Sequence, residues 1–309
     1  MEKKILIAID GSIYSSQSLE YLALLFADTP DVHFHLITCI SSSESILPVA
    51  TDDRNSLLPD APGAGRKRQT AQGYLQRAID KLVRLGIASE RISSSVEISG
   101  QDLAITIQHQ AEHLLMDSIL VGRRGLNSIS EMLLGSVSAT LLKNCHEIPL
   151  WIIDGEVTNR NFLAPVDGSI PSLLAIDHLA HIMEERKDIT IFLFHCHRFL
   201  GKKSEANPES CYHIWGKEWC DAYLAGEDHI FDGPTRLLIE AGIPESKIIT
   251  LSEVPDLDAA HGIIRQAHKQ QCGTIVIGRR GDGTTKGILG GVSDRTLKHS
   301  QDIALWVVG

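Results

Sequence analysis

Leu6-Ile7-Ala8-Ile9-Asp10-Gly11-Ser12 returns 157 residues later as Leu163-Ala164-Pro165-Val166-Asp167-Gly168-Ser169, and Leu120-Val121-Gly122-Arg123-Arg124-Gly125 returns 156 residues later as Val276-Ile277-Gly278-Arg279-Arg280-Gly281. Two more blocks keep the same order. Leu134-Gly135-Ser136-Val137-Ser138 reappears as Leu289-Gly290-Gly291-Val292-Ser293, and Pro149-Leu150-Trp151-Ile152-Ile153 as Ala304-Leu305-Trp306-Val307-Val308. Four matched blocks in one order make the chain a tandem repeat of one unit.

Inside each copy, short apolar runs alternate with longer amphipathic segments, the pattern of successive βαβ units. The runs fall at about 4–9, 32–40, 92–98, 118–122 and 149–153, then at about 162–166, 188–196, 247–253, 274–278 and 303–308. They are apolar on both faces, as strands covered by helices on both sides must be. After the first run, the serines between Ser12 and Ser18 offer N-caps, and Leu19, Leu22, Ala23 and Phe26 follow at i, i+3, i+4, i+7. Ile176, Leu179, Ala180 and Met183 repeat that spacing in the second copy. Right-handed crossovers then give a parallel, doubly wound sheet in each copy. The expected domains are 1–155 and 160–309, joined by a short polar linker over 154–161. Two segments after the second strands, 41–70 and 198–217, are rich in Ser, Asp, Gly and Pro and are expected as long loops or lids at the carboxyl edge of the sheet.

The 309 residues, 43 % apolar and 22 % charged, suffice for two buried cores. The net charge of −10, with acids dispersed, argues against nucleic acid or an anionic membrane as the main partner. Ile5 to Ile9 is too short for a signal-peptide core, and no apolar stretch approaches the roughly 20 residues that span a bilayer, so a cytoplasmic location is expected. The six cysteines, several in apolar strands, are expected as reduced thiols.

The chemistry is expected where the fourth strand ends. A phosphate requires several backbone N–H groups aimed at one place, and a strand turning through glycines into a helix N-terminus supplies them. Gly122 and Gly125 sit at that turn, and Gly135-Ser136 opens the next helix, with hydroxyls on Ser136 and Ser138. Asp10, at the end of the first strand, lies at the same edge, where a carboxylate can accept from a ribose. The plainer alternative is that the glycines make tight turns and Asp10 caps the following helix.

The combination Gly122-x2-Gly125-x9-Gly135-Ser136 with Asp10 resembles the nucleotide-binding pattern of the universal stress protein family, over nearly the whole chain and twice. That resemblance implies two tandem Rossmann- or flavodoxin-like α/β domains. Each would be a five-stranded parallel sheet flanked by helices, and a pseudo-twofold would relate the two like the halves of a covalently joined dimer. It implies ATP, with Mg²⁺ as an accessory, as the cofactor of the nucleotide-binding members. Carried over by position, the first-copy contacts are Asp10, Cys39 near adenine, Val121, Gly122, Arg124, Gly125, Gly135, Ser136, Val137 and Ser138. The second copy keeps Asp167, Cys196, Gly278, Arg280, Gly281, Gly290 and Ser293. It has one residue fewer between Gly281 and Gly290, and Gly291 where the first copy has a hydroxyl. Tighter binding in the first copy is therefore expected.

His195-Cys196-His197, followed by Cys211, His213, Cys220 and His229, matches no zinc-ribbon or finger spacing, and the first copy has Thr38-Cys39-Ile40 at the same strand end. A structural role for His195 is expected and zinc is not. No Gly-x-Ser-x-Gly elbow and no Gly-x4-Gly-Lys-[Ser/Thr] loop is present, and Arg66-Lys67-Arg68 reads as a solvated, loop-borne cluster. The reading that follows is a stress-response protein that binds ATP or a similar adenine nucleotide. It would act as a switch or interaction module toward an unidentified protein partner, with a further homodimer left open. The alternatives are a nucleotide-free interaction scaffold of the same family, and a slow ATPase or autophosphorylating switch. No water-activating base is identifiable, so any hydrolysis is expected to be slow.

Overall fold

The computed structural model describes residues 2–41, 64–124, 134–198, 207–226, 229–251, 254–256, 258–279 and 291–309. The chain forms two compact units, Met1–Ile148 and Pro149–Gly309.

In the first unit the order is β1 (Lys3–Ala8), α1 (Ile13–Phe26), β2 (Val32–Ser41), α2 (Ala64–Arg84), β3 (Ile92–Ser99), α3 (Leu103–His113), β4 (Ser118–Gly122) and α4 (Ser136–Asn144). The strands are parallel in the order β3-β2-β1-β4, with Ile5 opposite both Phe34 and Ser118. The order reverses direction between β1 and β4, which opens a crevice at the carboxyl ends of those strands. The periodicity of α1 translates into packing as expected: Leu19, Leu22, Ala23 and Phe26 are all buried.

The second unit comprises β5 (Leu150–Ile153), β6 (Asn161–Pro165), α5 (Ile170–Ile182), β7 (Thr190–Phe194), β8 (Cys196–Arg198), α6 (Pro208–Trp215), α7 (Lys217–Tyr223), α8 (His229–Glu240), β9 (Ile248–Thr250), β10 (Val254–Asp256), α9 (Ala259–Lys269), β11 (Thr274–Gly278), α10 (Val292–His299) and β12 (Ala304–Val308). Its main sheet runs β5-β12-β11-β6-β7-β9. The strand that closes the first repeat, β5, is counted in this unit and pairs antiparallel with β12, Trp151 opposite Trp306. Their indoles stack at 3.8 Å with 1° between planes, and Phe162 and His178 meet Trp306 edge-on, so the seam is an aromatic cluster. Trp151 Nε1 donates to His178 Nε2 at 3.1 Å, which gives the buried indole a partner. The polar connection is pinned rather than slack. Asn159 Oδ1 accepts from the amides of Asn161 and Gly273, and Gly155, at φ +66, lies so close to Asp302 that a Cβ would fall 1.8 Å from its Oδ1.

Several boundaries differ from the sequence expectation. The run at 188–196 is split: β7 stops at Phe194, and Cys196 belongs to β8, which pairs with β10 in a separate two-stranded parallel sheet. The expected loop over 198–217 contains α6. Its start is a helix signal that resembles a turn, because Asn207 accepts from the Glu209 amide as N-cap and Pro208 follows at the first helical position. Likewise Arg66-Lys67-Arg68 is helical, not loop-borne: it lies in the first turns of α2, whose buried stripe is Ala71, Leu75, Ala78 and Leu82. The remainder of both expected loops, over 42–63 and 199–206, lies outside the described residues.

Candidate functional site

Both units build the turn after their first strand in the same way. The Ile9 amide donates to the Ile37 carbonyl, and the Val166 amide to that of Phe194, one residue beyond the regular strand. The carbonyls of Ile9 and Val166 then accept from side chains of the second strand end: Thr38 Oγ1 at 2.8 Å in one unit, His195 Nδ1 at 2.7 Å in the other. His195 is thus a structural donor whose proton sits on Nδ1, and Thr38 is its functional equivalent, paired by position in the sequence but without that role attached to it. The next residues, Asp10 and Asp167, are held in place, and Gly11 and Gly168 follow at φ +79 and +74, where a side chain would be strained.

Asp10 stands at the carboxyl edge as expected, but its Oδ1 is engaged within the chain. It accepts from the Ser12 amide at 2.9 Å and from Ser15 Oγ at 2.6 Å, while Ser12 Oγ accepts from the Ser15 amide as the cap of α1. Asp167 repeats this: its Oδ1 accepts from the amide of Ser169 at 3.1 Å and from that residue's hydroxyl. Both carboxylates therefore organise a helix start, which is the plainer role the sequence allowed.

The first glycine of each loop is required by packing. A Cβ on Gly122 would lie 2.9 Å from Tyr14 Cβ, and one on Gly278 would lie 2.2 Å from the carbonyl oxygen of Pro171. In each unit the end of the fourth strand thus abuts the backbone at the start of the first helix. Tyr14 continues from there to the guanidinium of Arg124, which lies 5.6 Å from its ring centroid and donates from Nη1 to the Tyr14 hydroxyl at 3.3 Å. Val121 and Arg123 are buried, and Arg124 is half-buried at the rim.

Gly135 caps α4, its amide donating to the Arg123 carbonyl at 2.8 Å, so loop and helix are tied together. Ser138 is buried and donates to the Gly122 carbonyl at 2.7 Å, which closes the loop but commits its one proton away from a ligand. Ser136 is exposed. Among the described residues, no side chain caps the first turn of α4 or of α10, each opened by a glycine, whereas Ser12, Asp102, Ser169, Asn207 and Asp258 cap α1, α3, α5, α6 and α9. Uncapped first-turn amides leave a helix end ready for an anion.

The two openings differ in charge. The first turn of α4 has no acidic residue, while that of α10 carries Asp294. Its Oδ2 and Ser293 Oγ both lie 3.9 Å from where a Gly291 Cβ would be. A carboxylate there already complements the helix dipole and repels a phosphate. Asp294 is not part of the glycine-loop pattern, although an acid in the third helical position is readable in the sequence. Cys39, half-buried on β2 opposite Glu97, has its thiol pushed up to about 12 by burial and by the Glu97 charge, so it remains protonated and serves as an apolar wall. Cys196, on β8, is half-buried. Gly125, Arg280, Gly281 and Gly290 lie outside the described residues. Among the described residues, no three His, Cys, Asp or Glu side chains converge as metal ligands, and no helix is long and apolar enough to cross a membrane.

The model of the universal stress protein family matches residues 1–154 and again 158–308. The chain belongs to that family, as two copies in tandem. Among solved structures, a universal stress protein from Archaeoglobus fulgidus is 19 % identical, with 99 % of this chain and 95 % of that one covered and a TM-score of 0.62. A protein of unknown function from Pseudomonas aeruginosa is 16 % identical, with 99 % and 92 % covered and a TM-score of 0.56. At such identities the likeness concerns the universal stress protein fold. Among curated proteins, none matches this chain.

Proposed function

We propose that the first unit binds an adenine nucleotide such as ATP in the crevice at the carboxyl ends of β1 and β4, and that occupancy switches its affinity for a protein partner. The observation that carries this is the first turn of α4, which among the described residues has no side-chain cap and no acidic residue and follows the glycine-rich loop of the family pattern. The phosphates would face the amides of Ser136 and Val137 with Arg124 at the rim, and the sugar would face the Asp10–Gly11 turn. The Asp10–Gly11 turn and the two ends of the loop, Gly122–Arg123 and Gly135–Ser138, are held by hydrogen bonds, which lowers the ordering cost of binding. The second unit, with Asp294 at the equivalent helix, binds more weakly.

A second reading, a nucleotide-free interaction protein, is favoured by a different observation. Asp10, Gly122 and Ser138 each have a structural task that would maintain them without a ligand. Identifying and counting nucleotide released on denaturing the purified chain, then titrating the emptied protein with ATP, separates the two. One tight ATP per chain, lost in Gly135→Val with the fold retained, supports the binding reading. No released nucleotide and no binding at millimolar ATP supports the scaffold.

A further inference from the structure

The strand β3 ends the strand order of the first unit. It pairs with β2 in an unbroken register from Ile92 to Ser99, and among the described residues no strand lies on its other side. Backbone groups that point outward along such an edge can template another strand, and proteins ordinarily guard them with short edge strands, lysine or proline. The second unit does so. Its equivalent edge, β9, has three residues, and beyond it β10 has Pro255, which lacks an N–H, at its middle position. In β3, by contrast, eight residues carry no Lys, Arg or Pro.

Side chains of β3 alternate between two faces. Ser93 and Ser95 are hydrogen-bonded to His35 Nδ1 and Nε2 at 2.8 and 3.1 Å, and Glu97, opposite Cys39, shares their face. Ile92, Ser94, Val96 and Ile98 occupy the other, where Ile98 is 58 % exposed. Two copies of one strand joined antiparallel about a twofold set residues of the same face opposite each other, so the axis passes through a residue and not between two. With Ser95 on the axis, Ile92 of one copy meets Ile98 of the other, twice by symmetry. Ser93 then meets Glu97, and the two Glu97 carboxylates stay apart. With Val96 on the axis, Ile98 would face Ser94 and find no apolar match, so the Ser95 register is the favoured one.

We propose that β3 is a self-association edge, through which two copies of the chain join their first-unit sheets antiparallel over Ile92–Ile98, centred on Ser95. A seven-residue ladder about 23 Å long is a small interface, so the dimer is weak, with a Kd of about 10–100 μM. Sedimentation of the full chain at concentrations bracketing that value tests it. Ile98→Lys removes both isoleucine pairs and places an ammonium on the edge, which raises the Kd at least about tenfold. Ile249→Lys, on the edge of the second unit and 39 % exposed in the unaltered chain, leaves it within about twofold. Air oxidation reads the register. Ser95→Cys sets two thiols opposite each other, with Cα atoms about 4.5–5.5 Å apart, and gives a disulfide-linked dimer. The thiols of Ser93→Cys lie about 13 Å apart along the ladder and do not link. A chain that stays monomeric throughout overturns the proposal, as does a dimer that Ile98→Lys leaves intact, or linkage through Ser93→Cys as fast as through Ser95→Cys.

Discussion

Gly278 is the position where the packing role of a motif glycine is most exposed to test. In Gly278→Ala the new methyl would sit 2.2 Å from the Pro171 carbonyl oxygen, 2.3 Å from its carbon and 2.7 Å from the Ser172 nitrogen, all backbone atoms at the start of α5. Ordinary contact requires about 3.5 Å, so helix and strand must separate by about 1.3 Å, and no side-chain rotation can relieve it. Gly122→Ala is milder: its contacts are Tyr14 Cβ at 2.9 Å and the Arg124 carbonyl at 3.2 Å, a shift of about 0.6 Å. Overpacking of this kind costs about 3 kcal/mol or more for Gly278→Ala and about 1–2 kcal/mol for Gly122→Ala. For a unit of this size that lowers the melting temperature by about 6–12 °C and 2–8 °C. Gly291→Ala is the control, since Gly291 has φ −65 and among the described residues its Cβ would meet nothing nearer than 3.9 Å. The assay is calorimetric melting without nucleotide, resolving the transition of each unit separately. If Gly278→Ala melts with Gly291→Ala, the close approach of β11 and α5 is not what requires glycine, and the reasoning fails.

Asp294→Asn removes the carboxylate from the first turn of α10. One charge about 5 Å from a phosphate in a half-exposed site is worth about 1 kcal/mol, so ATP affinity of the second unit should rise about fivefold in titration, and no change would show that another feature weakens that site. The Asp188 carboxyl is held down to about 2, chiefly by the hydrogen bond from Arg186, whose Nε and Nη2 both reach it at 2.7 Å. A lowered folded value means that the stabilisation is complete above the unfolded carboxylate value near 3.9 and is lost as pH falls toward about 2. With Asp188 39 % exposed, screening limits it to about 1 kcal/mol. Asp188→Asn should therefore melt lower at pH 7, the difference should shrink as pH falls from about 4 toward 2, and a difference as large at pH 2 as at pH 7 would contradict the linkage.

The repeat, the strand positions and the buried helix stripes were legible because they depend on periodicity: Leu19, Leu22, Ala23 and Phe26 can be buried together only on a helix. The helix at Asn207-Pro208 was misread because an N-cap followed by proline uses the same residues as a turn, and only the chain beyond shows which is formed. The start of α2 was missed for a related reason. Its first turn is cationic and uncharacteristic, and its buried positions begin only at Ala71.

The family, the tandem order and the place of the glycine-rich loops after the fourth strands follow from residue identity and spacing along one dimension. What each residue does there was decided by tertiary contact. Whether Gly122 makes room for a phosphate or for Tyr14, and that Thr38 holds the Ile9 carbonyl, depend on atoms distant in the chain. Those distances exist only once α1, β2 and the fourth strand have packed together.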